Sequence, residues 1–358
     1  MNNMIKMDIE SYFDMLCKVY HPMLKNDMDF SFIKPFLIWG QPGIGKSSIV
    51  YQFKDYIETN FHKEVNVLDL RLYLYAEVDL KGVPYADEDK KHTIWLGPKM
   101  FDLDPSPNKV HIIFLDEFLS AKQSVRNVAL QIALDRKIDT IELPKNTIII
   151  AASNREQDGC FVSPLSLALA DRFSHVDICV KEEAWVNYAF SHKIDPRIIA
   201  YIRFNPNALC ENLEADRYVF STPRTWEKLS HVIKHYENIE DVKDIVYCIV
   251  GKIQGMAFVH YCHQCANLST MQDVMLGKGK VPTSHDGLYM MATQIVYTLL
   301  NKDVQPTQLN HIMRYLGRFP EDYILNVLIN IKDLAQDNIE LYSLPSYQQL
   351  ITKVGRYI

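Results

Sequence analysis

Residues 36–47 read Phe36-Leu-Ile-Trp-Gly-Gln-Pro-Gly-Ile-Gly-Lys-Ser47, and this segment indicates the fold class most clearly. Its first four residues are apolar with no polar alternation, which predicts a short strand buried on both faces. The eight residues from Gly40 to Ser47 match the pattern G-x-x-x-x-G-K-[ST] at every fixed position. Residues 46–59 then predict an amphipathic helix, so the motif lies where a strand gives way to a helix. That context is typical of a phosphate-binding loop.

Each residue type in this motif has a chemical role. Glycines let the backbone bend with its N–H groups facing inward, so that the loop and the helix N-terminus form an anion cradle. Lys46 supplies a positive charge for the β- and γ-phosphates, and Ser47 offers its hydroxyl to Mg²⁺. The alternative is a glycine-rich surface turn, which the flanking strand and helix disfavour. The residues predicted to bind the nucleotide here are Gly40, Pro42, Gly43, Gly45, Lys46, Ser47 and Ser48.

Two further apolar runs end in side chains that suit the same chemistry. Residues 111–115 lead to Asp116 and Glu117, and residues 148–153 lead to Asn154. Ligands of open α/β sheets bind at the carboxyl ends of the strands, so we expect these side chains beside the loop. Asp116 would hold Mg²⁺ and Glu117 would orient or deprotonate the attacking water, while Asn154 would hydrogen-bond a water or the γ-phosphate. Taken alone, each could simply be a strand meeting solvent or a residue opening a turn.

Further apolar runs at residues 65–68 and 175–180 alternate with helical stretches. This rhythm predicts an α/β core with a parallel sheet covered by helices. After about residue 180 only helical patterns remain, interrupted by a polar stretch at residues 276–286. We therefore expect an N-terminal helical lead-in at residues 1–34, an α/β core at 35–182, a helical lid at 183–275 and a helical C-terminal region at 285–358.

Composition narrows the class of protein. The chain has 358 residues, of which 48% are hydrophobic and 23% charged, with a net charge of −6. This balance is typical of a globular protein and argues against one that coats nucleic acid by bulk charge. No apolar run reaches the ~18 residues that span a bilayer, and the N-terminus lacks the pattern of a signal peptide.

The chain has seven cysteines, and without an export signal they predict reduced thiols in a cytoplasmic protein. The CxxC with two histidines at residues 260–265 favours a helix with buried thiols over a zinc site, since no second ligand pair is near.

With these motifs in this order, residues 35–265 resemble the AAA+ ATPases, and within them the MoxR-like branch, often paired with von Willebrand-factor-A-type proteins. The resemblance implies that Asp116 and Glu117 are the Walker B pair, with Glu117 as the catalytic glutamate. It likewise implies that Asn154 is the sensor 1 residue. The ligands it implies are ATP and Mg²⁺, the ion being held by Ser47 and Asp116.

The resemblance also implies roles for two arginines. Ala170-Asp-Arg-Phe173 resembles the segment in which relatives carry an arginine directed at a neighbouring subunit, which makes Arg172 the candidate, with Arg155 as an alternative. An intramolecular salt bridge is the plainer explanation for such a residue. Thr222-Pro-Arg-Thr-Trp226 resembles the start of the sensor 2 helix, from which Arg224 would reach the nucleotide.

A third resembling segment is Asp79-Leu-Lys-Gly-Val-Pro84, which is similar to the D-L-[RK]-G-[LIV]-P motif of MoxR-like ATPases. In that family the region is an insertion that projects towards a central pore. Residues 85–91 indicate a charged turn that leads into a short strand at residues 92–96. The segment would be a hairpin that contacts a substrate or partner, or else a structural excursion without one.

The resemblance as a whole implies a chaperone-like ATPase that forms a homo-oligomeric ring, a hexamer, and remodels a protein partner. The apolar pattern and the acidic net charge favour neither a membrane nor a nucleic acid as the partner. One rival is a nucleic-acid motor of the same superfamily, which requires a basic stripe. The other is a nucleotide-gated scaffold with little hydrolysis, against which Glu117 and the arginines count. Candidates for a basic stripe are few: Lys81, Lys90, Lys91 and Lys99.

Overall fold

The computed structural model describes residues 4–139, 141–155, 158, 165, 167–211 and 218–355. They fall into two compact units, the first extending to Val180 and the second beginning at Lys181. No helix within these ranges is long and apolar enough to cross a membrane.

The strands of the described chain all belong to the first unit. They are β1 (Ile5–Met7), β2 (Phe36–Trp39), β3 (Glu64–Arg71), β4 (Val83–Ala86), β5 (Thr93–Leu96), β6 (Lys109–Asp116), β7 (Lys137–Ile138), β8 (Ile141–Glu142), β9 (Thr147–Ser153) and β10 (Ser174–Ile178). Six of them form one parallel sheet in the order β1-β10-β2-β9-β6-β3. The pairs β4–β5 and β7–β8 are separate antiparallel hairpins.

Helices cover this sheet. They are α1 (Ile9–Lys25), α2 (Lys46–Phe61), α3 (Glu77–Lys81), α4 (Gln123–Leu130) and α5 (Leu167–Ala170), with a π-helical turn at Gln131–Asp135 and 3-10 turns at Phe30–Phe32, Leu72–Leu74 and Lys99–Phe101. Strands β2 and β9 are buried along their whole length, as strands covered on both faces must be. The prediction of a parallel α/β core is therefore confirmed.

The N-terminal segment contains a strand that the sequence pattern does not predict. β1 pairs in parallel with β10, with Ile5 opposite Val176. Only three residues long and largely exposed, it has too little apolar character to be recognised locally. After it, the Asp8 carboxylate accepts a hydrogen bond from the Ser11 N–H and so caps α1. The lead-in thus supplies both an edge strand and a helix to the first unit.

The second unit is helical throughout its described residues. Its helices are α6 (Glu182–Ser191), α7 (Pro196–Phe204), α8 (Pro223–Ile233), α9 (Lys243–Val250), α10 (Lys252–Gln264), α11 (Met271–Met275), α12 (His285–Asn301), α13 (Pro306–Leu316), α14 (Glu321–Asn330), α15 (Lys332–Asp337), α16 (Ile339–Ser343) and α17 (Pro345–Val354), with 3-10 turns at Pro206–Ala208 and Ile239–Val242. Helices α9 and α10 are separated at Gly251, whose φ of 87° is a left-handed value that ends α9. Helices α14 and α15 are separated at Ile331.

Side-chain bonds join the early and late helices of the second unit. The Tyr261 hydroxyl of α10 donates to the Asp286 carbonyl of α12 at 3.1 Å. The Arg203 guanidinium of α7 donates to Asn326 of α14 at 2.5 Å. The C-terminal helices therefore pack on the helices that precede the polar stretch at residues 276–286.

Candidate functional site

Three strands bring the predicted site residues to one edge of the sheet. β2 ends at Trp39 next to Ser153 of β9, and β9 lies beside β6, which ends at Asp116. All three strands run in parallel, so their carboxyl ends lie together. The phosphate loop, the Asp116–Glu117 pair and Asn154 consequently share one edge.

The loop between β2 and α2 has the conformation of an anion cradle. Gly43 and Gly45 have φ values of 78° and 100°, in the left-handed region that side chains disfavour. The N–H groups of Gly43, Gly45, Ser47 and Ser48 donate to no backbone carbonyl among the described residues. Unpaired N–H groups at the first turn of a helix are available to phosphate oxygens, and the helix dipole adds to their attraction.

Lys46 connects this loop to the neighbouring strand. Its side chain is buried, and its ammonium donates to the carbonyls of Gly40 at 2.7 Å and Gln41 at 2.9 Å. It also donates to Asn154 Oδ1 at 2.8 Å. A buried ammonium is costly unless its protons are all bonded, and these contacts keep the positive charge at the mouth of the loop.

Asn154 in turn reaches Glu117. Its amide Nδ2 donates to both carboxylate oxygens of Glu117, at 3.2 and 3.1 Å. The Ser120 hydroxyl donates to Glu117 Oε2 at 3.1 Å. The backbone of Glu117 has a φ of 54°, a left-handed value that is uncommon outside glycine and recurs at functional positions. Hydrogen bonds therefore run from Lys46 through Asn154 to Glu117.

The pair formed by Ser47 and Asp116 fits the ligand set of a magnesium site. Ser47 Oγ lies 3.2 Å from Asp116 Oδ2, and Asp116 Oδ1 accepts the Glu117 N–H at 2.9 Å. A hydroxyl, one carboxylate and the phosphates of a nucleotide are the oxygen donors that Mg²⁺ takes in such enzymes. The residues present thus fit a Mg²⁺–nucleotide complex.

A third carboxylate, which the sequence pattern did not single out, lies near this pair. Asp69 is on β3, next to β6 in the sheet. Its Oδ1 is buried and accepts no hydrogen bond from the described residues, while Oδ2 accepts the Tyr51 hydroxyl at 3.4 Å. Burial, and after it the negative charge of Asp116, raises the pKa of Asp69. The side chain could be recognised only from the pairing of β3 with β6.

The two candidate arginines of the first unit have different surroundings. Arg155 pairs with Asp158 at 2.8 Å and with Asp177 at 2.9 Å, and its side chain is only 12% exposed. Arg172 is exposed, and its side chain has no hydrogen bond or ion pair with any residue the structure describes. It borders two surface hollows of about 350 and 360 Å³. Among the residues that the structure describes, Arg155 therefore forms intramolecular salt bridges and Arg172 forms none.

Arg224 belongs to the second unit, in the first turn of α8. Thr222 caps this helix by accepting the Thr225 N–H at 3.2 Å, and Pro223 occupies the first helical position. Trp226 anchors the turn through an indole N–H bond to the Ala208 carbonyl at 2.8 Å. The Arg224 side chain is exposed to solvent.

The segment that resembles the pore-directed insertion is a hairpin, β4–β5, preceded by α3. Four of its apolar residues are between 45% and 63% exposed: Val83, Tyr85, Ile94 and Leu96. The Lys81 ammonium lies 4.5 Å from the centroid of the Trp95 ring, a cation–π contact at the hairpin base.

The CxxC segment lies in and just after α10, and Cys262 and Cys265 are buried. Within the described ranges, no group of three or more His, Cys, Asp or Glu side chains could hold a metal ion.

A phosphate loop after a central parallel strand, with a pair of carboxylates at the end of a nearby strand, defines the P-loop nucleoside triphosphate hydrolases. Residues 36–177 match the model of the ATPase family associated with various cellular activities (AAA). These residues form an AAA ATPase domain, and the protein is accordingly a nucleotide-binding ATPase.

Solved structures give weaker likenesses. Caenorhabditis elegans PCH-2 is 15% identical, with 70% of this chain and 67% of that chain covered and a TM-score of 0.37. A RuvB variant from Thermotoga maritima is 14% identical, with 97% and 88% covered and a TM-score of 0.40. Likeness at this level carries no functional assignment. No curated protein matches the chain.

Proposed function

We propose that this chain is a MoxR-like ATPase that works as a homo-oligomeric ring, a hexamer, and couples ATP hydrolysis to the remodelling or activation of a protein partner. A von Willebrand-factor-A-type protein is the candidate partner. The observation that carries the hydrolytic part is the run of hydrogen bonds from Lys46 through Asn154 to Glu117. It supports a site that both binds phosphate and positions a carboxylate.

In this proposal the loop amides and Lys46 bind the β- and γ-phosphates of ATP, and Ser47 and Asp116 hold Mg²⁺. The bound ion supplies neutralising charge to the phosphates. Glu117 orients the attacking water and takes its proton. Asn154 changes partners when phosphate enters, because the γ-phosphate competes with it for the Lys46 ammonium. Release of Asn154 from Lys46 would thereby report the presence of a γ-phosphate to Glu117.

The ring is supported by Arg172. This arginine is exposed and unpaired among the described residues, and it lies between two hollows of the first unit. An arginine supplied in trans to a γ-phosphate accelerates hydrolysis by about 10³–10⁵-fold in other nucleotide hydrolases. We propose that Arg172 completes the site of the neighbouring subunit. Arg224 would contact the nucleotide from the helical unit.

The exposed surface of the hairpin β4–β5 favours a protein as the partner of this ATPase. Its exposed residues are apolar and aromatic, which suits contact with another protein better than with phosphates. The acidic net charge of −6 agrees with this preference. We propose that the hairpin contacts the partner during turnover.

The test is steady-state ATP hydrolysis by the full chain, alone, with the candidate partner and with duplex or single-stranded DNA. We expect stimulation by the protein partner and loss of that stimulation, with basal turnover kept, in the double variant Tyr85→Ser, Ile94→Ser. The matched control is Tyr342→Ser, which alters another exposed tyrosine, on α16. Stimulation by DNA that falls steeply with salt would replace this proposal by a nucleic-acid motor.

A further inference from the structure

Four aromatic side chains connect the functional segments of the first unit. Phe118 lies 5.6 Å from Phe173, Phe173 lies 6.4 Å from His175, and His175 stacks on Trp39 at 6.0 Å, all measured between ring centroids. We name Trp39, Phe118, Phe173 and His175 the aromatic cluster. Trp39, Phe118 and Phe173 are buried and belong to one core cluster on the sheet.

Three members of the aromatic cluster are sequence neighbours of site residues. Trp39 immediately precedes Gly40, where the phosphate loop begins, Phe118 immediately follows Glu117, and Phe173 immediately follows Arg172. Because close-packed side chains transmit small displacements, a shift of the phosphate loop also displaces the segments of Glu117 and Arg172. The cluster thus joins the loop, the carboxylate pair and the arginine segment through direct contact.

Hydrogen bonds of His175 fix this connection more tightly than packing alone. The Trp39 indole N–H donates to His175 Nδ1 at 3.0 Å. Since Nδ1 accepts, the ring proton lies on Nε2, which donates to the Ala170 carbonyl at 2.8 Å. Ala170 ends α5, two residues before Arg172. One imidazole therefore bridges the last residue of β2 and the backbone that leads to Arg172.

A second pair of bonds anchors the same backbone to the start of β2. The Lys34 ammonium donates to the Asp171 carbonyl at 2.7 Å. The Ser174 N–H donates to the Pro35 carbonyl at 2.9 Å. The residues on both sides of Arg172 are thus bonded to the two residues that lead into β2, although the Arg172 side chain itself is exposed.

We infer that Trp39 and His175 are positioning residues, which hold the Arg172 segment in register with the phosphate loop. ATP binding at the loop of one subunit then positions the Arg172 that this subunit presents to its neighbour. This inference rests on the proposed action of Arg172 in trans. A misplacement of about 1 Å can cost about 10²-fold in rate. We therefore expect His175→Phe, which keeps a ring but loses both hydrogen bonds, to lower kcat about 10- to 100-fold.

The experiment measures kcat, KM and nucleotide affinity for His175→Phe, Trp39→Phe, Arg172→Ala and the double variant His175→Phe, Arg172→Ala. Both aromatic substitutions should lower kcat with nucleotide affinity unchanged. His175→Gln, which keeps a donor for the Ala170 carbonyl, should restore part of the loss. Trp185→Phe is the control, because the buried Trp185 indole N–H has no partner within the described chain. It should leave kcat at the wild-type value.

The double variant decides whether His175 acts through Arg172. If it does, the double variant hydrolyses ATP as slowly as Arg172→Ala alone, since residues that act as a unit are not additive. Multiplying losses, or full kcat in both His175→Phe and Trp39→Phe, would overturn the inference while leaving the arginine role intact. Full turnover in Arg172→Ala would instead refute the trans arginine of the proposed function. His175→Gln keeps the test decisive if His175→Phe does not fold.

Discussion

Lys46 Nζ lies 2.8 Å from Asn154 Oδ1, so the lysine of the phosphate loop and the asparagine that follows β9 are hydrogen-bonded to each other. The same asparagine donates to Glu117 through its amide nitrogen. The neutral Asn154 side chain therefore lies between the Lys46 ammonium, which can bind phosphate, and the Glu117 carboxylate, which can accept a proton from water. In the proposed function Asn154 therefore links nucleotide binding to hydrolysis, and the first two predictions follow from that role.

Replacing Lys46 by Met should weaken ATP binding by at least about tenfold, because a hydrogen bond to a charged group contributes about 1.5–3 kcal/mol. Direct titration with a fluorescent ATP analogue measures the change. Lys54→Met is the matched control: Lys54 lies on the same helix, where it bonds to Glu58 at 2.8 Å. Equal affinities for wild type and Lys46→Met would show that the loop does not bind phosphate.

Replacing Asn154 by Ala should lower kcat by about 10²- to 10³-fold with a smaller effect on ATP affinity, since loss of one positioned hydrogen-bond donor near a transition state has this order of magnitude. The contrast is Asn146, at the other end of β9, whose amide donates to the carbonyls of Asp104, Ser106 and Lys109.

For Asn146→Ala we expect a loss of stability of about 1–3 kcal/mol, because three hydrogen bonds to backbone disappear, and a kcat near that of wild type. Urea unfolding and steady-state kinetics separate the two asparagines. If Asn154→Ala, like Asn146→Ala, lowered stability but left kcat unchanged, the catalytic role proposed for Asn154 would be wrong.

The two arginines of the first unit should behave in opposite ways. Arg155→Ala removes the ion pair of Asp177, whose side chain is only 6% exposed. Breaking a buried pair costs about 3–5 kcal/mol, so thermal unfolding should shift markedly. Arg172→Ala should leave the unfolding temperature unchanged and lower kcat by about 10³-fold or more.

Mixed assemblies test the trans action of Arg172 directly. Subunits with Glu117→Gln and subunits with Arg172→Ala are each expected to be inactive alone. Mixing them should restore part of the turnover, since some sites then combine an intact Glu117 with a neighbour's Arg172. Failure of mixing to restore any turnover would contradict action between subunits.

Asp69 provides a pH-dependent prediction. Burial and the charge of Asp116 raise the pKa of Asp69, so its ionised form destabilises the fold. Asp69→Asn should therefore increase the free energy of unfolding at neutral pH. The gain should shrink as the pH falls through the raised pKa, because protonated Asp69 no longer carries the charge. Chemical unfolding at several pH values measures this, with Asp55→Asn, a carboxylate 74% exposed on α2, as the control. A gain that did not vary with pH would rule out the charge as its cause.

The sequence predicted what local patterns encode. The strand β2, the loop from Gly40 to Ser47 and the start of α2 follow from apolar spacing and glycine positions, and each lies where expected. The common location of Asp116, at the end of β6, and Asn154, just after β9, follows from the rule that parallel strands present their carboxyl ends at one edge.

What the sequence could not predict depends on which strands become neighbours. Arg155 pairs with Asp177 only because β10 lies beside β2, and Asp69 approaches Asp116 only because β3 pairs with β6. The bond between Trp39 and His175 joins residues 136 positions apart. The division between α9 and α10 at Gly251 cannot be predicted from periodicity, because the apolar spacing continues across the glycine.

In the proposed function, Glu117 activates the water that hydrolyses ATP bound at the loop of Lys46, in a ring of this chain. The most direct measurement is ATP turnover by wild type and Glu117→Gln, with the mass of each measured with and without ATP. We expect Glu117→Gln to bind ATP and form the ATP-dependent ring while kcat falls by about 10²–10⁴-fold, as for loss of a general base. Equal turnover by the two proteins would contradict the claim.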